Sequence, residues 1–326
     1  MPRRPGPDGL MPLHINLWSW LGFIFCILLF LALDLGAFHR RPRVVKWGEA
    51  VAWSAGWFVL AMLFAAAIFT WRNHAEALQF TTGYVIELTL SLDNIMVMAI
   101  LFSYFRVPLE YQHRLLFWGI IGVLIMRGLM IYAGVTIVGY YDWILYLLGA
   151  FLVFAGVKMS VSKKQMDLEK NVVLRAARKV FSISENLDGR KFVTRVNGRL
   201  FLTPLALALL LIETTDLLFA VDSVPAVFSV TQDAFIIFTS NVFAVLALRS
   251  MYFVLAGAIG YFRYLNIGLS AVLIFIGVKM LLDPHDHEPK WFQVALPTSV
   301  SLMVVAAILS ISIALSVTAA HREKAK

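Results

Sequence analysis

Long apolar runs restrict this chain more than any other feature. Segments of about 20 residues, the length that crosses roughly 30 Å of hydrocarbon, recur near residues 17–38, 49–70, 79–103, 115–138, 141–159, 202–228, 234–258, 264–282 and 292–317. Each run is apolar on all sides and about twice the length of a barrel strand. Helices, which satisfy their own backbone hydrogen bonds in lipid, are therefore expected, and the fold class is an all-α polytopic membrane protein of about nine spans. Composition agrees, with 60% of the 326 residues apolar and 15% charged. Arg3 and Arg4 precede the first run, but its apolar stretch exceeds the about 7 to 15 residues of a secretory signal, contains Asp34 and lacks a small-residue cleavage site.

The net charge of +8 does not imply nucleic acid, because of where it sits. Between residues 160 and 199 there are ten Lys and Arg against four Asp and Glu, which accounts for +6 of it. An excess of this kind marks a cytoplasmic loop beside anionic lipid, where "LRAARKVF" can form a short basic amphipathic helix. The simpler meaning is an orientation signal alone. With that loop inside, "HRRPRVVK", "YFRVPLEYQHR", "GYFRY" and the tail "HREKAK" also fall inside, while "GYYD", "TQD" and "DPHDHEP" fall outside. The N-terminus is then external and the C-terminus cytoplasmic.

A repeat lies within these spans. "LGAFLVFAGVKM" (148–159) matches "LSAVLIFIGVKM" (269–280) at eight of twelve positions. Upstream, Glu87 and Asp93 have the same six-residue offset as Asp216 and Asp222, and Arg127 and Arg249 follow one helix later. Each unit holds three helices, so the two are expected to insert with opposite orientation, as in many secondary transporters. The expected divisions are an N-terminal tail with two peripheral helices (1–78), repeat 1 (79–159), the basic linker (160–200), repeat 2 (201–282), and an outer acidic loop, last helix and cytoplasmic tail (283–326).

The repeats bring acids into hydrocarbon. One mid-membrane charge costs about 2.5–3.5 kcal/mol on insertion scales, and such residues normally face a polar interior, pair, or mark an ion path. Glu87, Asp93, Glu213, Asp216 and Asp222 are the candidates, and Arg127 and Arg249 can neutralise at most two of them. A closed set of ion pairs joining the halves is one reading; a bound cation or protons is the other. Six residues place Glu87 and Asp93 about 9 Å apart along a helix and about 120° apart around it, so a straight helix cannot aim both at one ion. Glu213 and Asp216 share a face. Pro225 removes the hydrogen bond to the Val221 carbonyl and is expected to kink the helix beside Asp222.

The seven histidines lie at span ends or in loops, and Cys26 is the single cysteine, which leaves no disulfide framework and no thiolate cluster. Oxygen donors remain: the carboxylates with Asn94, Asn241, Ser91, Ser223, Thr214 and Thr215, and Asp34 as a further buried acid. They suit hard divalent ions such as Mg, Ca and Mn. Met96 and Met98 near Asp93 are possible soft ligands that would favour Mn, although methionines at such positions commonly only pack.

"LALDLGAFHR", "ELTLSLDN", "IETTDLLFAVDSVPAVFSVT", "FTSNVFAVLALRSMYFVLAG" and "LIFIGVKMLL", in that order, resemble the TerC family of integral membrane proteins over nearly the whole chain. The resemblance implies a bacterial inner-membrane protein within the lysine-exporter-like superfamily, linked to tellurium resistance and, in some branches, manganese export. It makes Asp93 and Asp222 the expected functional positions. "FAVDSVPA" departs conservatively from the family's usual "FAVDSIPA".

The function expected is a secondary-active exporter of a divalent ion, Mn2+ foremost, coupled to protons, with no permanent cofactor. The alternative is a non-transporting membrane partner in metal delivery, or in tellurite or envelope stress-response complexes. Neither a Ser/His/Asp set nor HExxH occurs, so no enzyme is expected.

Overall fold

The apolar runs are helical. A computed structural model describes residues 17–38, 47–161, 172–184, 188–196, 198–256, 265–284 and 293–324, with side chains omitted at 17–18, 30–38, 196, 256 and 320–324. Its elements are α1 (Leu17–Phe38), α2 (Trp47–Trp71), α3 (His74–Tyr104), α4 (Leu109–Tyr140), α5 (Trp143–Val161), α6 (Val172–Val180), β1 (Val193–Val196), β2 (Arg199–Leu202), α7 (Pro204–Phe228), α8 (Ala234–Ala256), α9 (Leu265–Leu282) and α10 (Thr298–Lys324). Among the described residues eight helices, α2–α5 and α7–α10, are long and apolar enough to span a membrane. The first expected span coincides with α1, of which only Ser19–Leu29 is a described apolar stretch, shorter than a membrane crossing. The loops "HRRPRVVK" and "GYFRY", the His/Asp run after Pro284 and the side chain of Asp34 lie outside the described residues.

Local chemistry moves several boundaries. Asn73 caps α3 by accepting from the Glu76 amide at 2.8 Å. The expected start near 202 shifts because Leu200 to Leu202 pair in β2, while Thr203 caps the Ala206 amide and Pro204 takes the first helical position of α7. Residues 293–297 hold no regular secondary structure, and α10 begins only after Pro297.

The linker holds α6, the expected basic amphipathic helix, with Leu174 and Ala177 buried and Arg175, Arg178 and Lys179 exposed. It also holds an antiparallel β1–β2 hairpin, a departure from a purely helical chain. Gly198, at φ 79°, takes the left-handed conformation that a two-residue hairpin turn requires. Arg114 at the start of α4 donates to the Arg190 carbonyl at 2.6 Å and lies over the Phe192 ring, so the linker is fastened to the α3–α4 end. At the opposite end Arg72 pairs with Asp233 at 3.1 Å, and Gln293 donates to the Tyr146 hydroxyl at 2.7 Å. The expected grouping of "YFRVPLEYQHR" with the linker, and of "TQD" away from it, is the grouping seen.

Helix α8 is enclosed by α2, α3 and α4, whereas Leu63, Ile125, Leu129 and Met303 on outer helices are exposed, as lipid-facing side chains must be. α5 and α9 cross antiparallel in backbone contact. A Cβ on Gly277 would sit 2.7 Å from both the Gly149 carbonyl and the Val153 amide, the close approach that small residues allow in membranes.

Candidate functional site

Four helices meet at Arg127. This side chain, from α4, is 2% exposed and forks onto Asp216 of α7, with Nε to Oδ2 and Nη2 to Oδ1 both at 3.1 Å. Its Nη1 pairs with Glu87 of α3 and donates to Asn241 of α8 at 3.3 Å. Asn94 completes the set by donating to Asp216 Oδ1 at 2.7 Å. The planar guanidinium can serve two carboxylates at once, which a lysine could not do with equal geometry. Glu87 and Asp216 are thereby joined through one cation, while Ser91 donates weakly to Glu87 at 3.4 Å.

The second acid pair lies beside this network. Asp93 of α3 and Asp222 of α7 line a cavity of about 300 Å³ together with Asn94, Arg127 and Ser223. Leu90, Phe151, Phe154, Ala155, Met159, Phe219, Leu269 and Leu273 supply apolar walls, and Lys158 of α5 contributes an ammonium. Six residues of helix separate Glu87 from Asp93, and the expected rotation is what sends one to Arg127 and the other to the cavity. Two buried oxygens here, Asn94 Oδ1 and Ser223 Oγ, have no hydrogen-bond partner among the described residues. With two carboxylates they make four oxygen donors, the set preferred by hard divalent cations. Among the described residues no three His, Cys, Asp or Glu side chains form a ready-made ion cage.

The remaining sequence candidates fall elsewhere. Glu213 packs against Gly122 of α4, where a Cβ would overlap its carboxylate, and its Oε2 is buried without a hydrogen-bond partner among the described residues. Thr214 donates to its own helix at Leu210, and Thr215 is half-buried on α7. Arg249 is buried on α8 eight residues beyond Asn241, about 12 Å along the helix. Met98 is buried in the apolar core and Met96 is half-buried; the thioether at the cavity is Met159. Pro225 occupies the last turn of α7, which runs on through it to Phe228. Lys158 was missed by the sequence reading although it sits in the duplicated "GVKM". A lysine retained twice in apolar context was the available signal.

Comparison with known proteins gives the lineage. The profile of the "Integral membrane protein TerC family" matches residues 72–324. A Myxococcus xanthus protein named "Uncharacterized membrane protein STKORF319" is 48% identical over 299 residues, covering 91% of each chain. The Escherichia coli (strain K12) protein named "Putative membrane-bound redox modulator Alx" is 42% identical over 300 residues, covering 89% of this chain and 91% of that relative. An "Uncharacterized membrane protein" of Rickettsia felis is 40% identical over 300 residues, 92% of this chain and 97% of its own. No solved structure matches the chain. With its spanning helices, its buried Arg127 network and a family match over most of its length, this chain is a multi-pass membrane protein that belongs to the integral membrane protein TerC family.

Proposed function

We propose that the protein exports a divalent metal ion, most suitably Mn2+, in exchange for protons, with Asp93 and Asp222 as the principal ligands. The observation that carries this reading is the cavity in which these two carboxylates meet the unpartnered oxygens Asn94 Oδ1 and Ser223 Oγ. A dication neutralises both acids and satisfies both neutral donors. Protonation of the acids on the far side weakens ligation and releases the ion. Met159 at the cavity wall adds a thioether within the lining, a ligand type that tilts the preference toward Mn over Mg or Ca.

An inverted pair of three-helix units supports alternating access. α3 packs on α8 as α7 packs on α4, and α5 packs on α9, so exchanging α3–α5 with α7–α9 reproduces the same pairs. On this reading the basic linker lies at the cytoplasmic face beside anionic lipid and the α7–α8 turn lies outside, with a bacterial inner membrane as the host. The name of the Escherichia coli relative points to redox control; with Cys26 as the one cysteine of this sequence, a thiol–disulfide route would need a thiol from another molecule. A docking role in stress-response or metal-delivery complexes would use the linker and not the cavity acids.

The test is Mn2+ uptake by inside-out vesicles carrying wild type, Asp93→Asn or Asp222→Asn at equal abundance. Each substitution keeps volume and removes charge, and each is expected to reduce uptake at least about tenfold. Unchanged uptake in both variants refutes the site; no uptake by wild type refutes the transport reading.

A further inference from the structure

We infer that the Lys158 ammonium is a tethered counter-cation, which takes the place of the transported ion at Asp93 and Asp222 when the carrier returns empty. The inference rests on the exporter reading and assigns a residue that the reading does not require.

Lys158 lines the same cavity as both carboxylates. It is otherwise placed over the Phe154 ring, 5.9 Å from the centroid, a loose contact for a cation. The side chain is exposed and emerges three residues before α5 ends. Its long stem therefore lets the charge turn into the cavity or out toward the membrane surface. The second "GVKM" lysine shows the contrasting state. Lys279 is 3% exposed, donates to the Ser229 carbonyl at 2.7 Å and lies 3.7 Å from Asp283. The same motif thus presents one lysine fastened to a turn at the outer end of α7 and one lysine facing a pair of acids.

Charge balance gives the second step of the argument. Two carboxylates loaded with a dication are neutral, and the loaded carrier can reorient. Emptied and carrying back a single exchanged proton, they would still cross the same low-dielectric path as a monoanion. An ammonium already on the protein neutralises that remaining charge and is displaced by the next ion through like-charge repulsion. Simple snorkelling of Lys158 to the interface would instead leave ion binding and empty return untouched.

The test uses full-length protein in sealed proteoliposomes with radioactive Mn2+, comparing net efflux with Mn2+/Mn2+ exchange, which never requires the empty carrier to return. Lys158→Gln is expected to bind Mn2+ on the order of tenfold tighter, as expected from deleting one like charge beside a cation site. Its ratio of net efflux to exchange should fall by about tenfold, and Lys158→Arg should restore the ratio. Wild-type affinity and ratio in Lys158→Gln overturn the inference. So does loss of binding, exchange and efflux together in a variant that keeps its thermal stability, because that marks a lysine that only shapes the site. Wild-type protein that neither binds nor moves Mn2+ refutes the exporter reading itself and removes the lysine's role with it.

Discussion

Removing Arg127 should unfold the protein by stranding its partners. In Arg127→Met most of the apolar stem is kept and the guanidinium lost, leaving Glu87 at 0% and Asp216 at 1% side-chain exposure without a cation. Breaking a buried ion pair by deleting one member costs about 3–5 kcal/mol, because the other charge stays buried and uncompensated. The midpoint of thermal unfolding in detergent should fall by roughly 6–20 °C, taking about 2–4 °C per kcal/mol. The diagnostic variant is the triple change Arg127→Met, Glu87→Gln, Asp216→Asn, which removes the stranded charges as well. It should recover most of the loss, since a neutral buried set pays only the ordinary cost of imperfect hydrogen bonding. Arg127→Lys should lie between, holding one carboxylate but unable to fork. A triple variant as unstable as the single one would refute the electrostatic account and assign the cost of Arg127→Met to packing.

Gly277→Ala places a methyl 2.7 Å from two backbone atoms of α5, which cannot rotate away, so a destabilisation of about 1–3 kcal/mol is expected from the overpacked α5–α9 crossing and can be read by the same thermal assay. Outside the membrane, hydrogen bonds from Thr194 and then Lys191 hold the Asp188 carboxyl below its ordinary value of 3.8. A depressed folded value means that this contact is fully present above 3.8 and is lost as pH falls through the lower folded value. Amide exchange in the β1–β2 hairpin should therefore accelerate below that pH in wild type, and should lose this step in Asp188→Asn. For orientation, a cysteine at position 188 in a Cys26→Ser background should resist an impermeant thiol reagent in intact cells, and one at position 233 should react; the opposite pattern would invert the topology.

What could be read directly from the residues was whatever depends on near neighbours in the chain. Apolar length sets a spanning helix because hydrocarbon leaves an unbonded backbone no other partner. Helix ends were less legible where a short polar signal overrides hydropathy, as Thr203 and Pro204 do in starting α7 and Pro297 does before α10. The six-residue spacing was enough to say that Glu87 and Asp93 could not serve one ion from a straight helix.

Which partner each acid meets is a different kind of fact, decided by how helices distant in sequence rotate and pack. Arg127 and Arg249 are both buried arginines of spanning helices, yet Arg127 joins Glu87 to Asp216 while Arg249 lies about 12 Å further along α8 than Asn241. Lys158 and Lys279 share a four-residue motif, yet one faces the acid cavity and the other grips the Ser229 carbonyl. Identical local sequence produces the same helix but not the same surroundings. Only the packing of α3, α4, α5, α7 and α9 around one cavity decides which charges are neutralised and which two carboxylates line the same space.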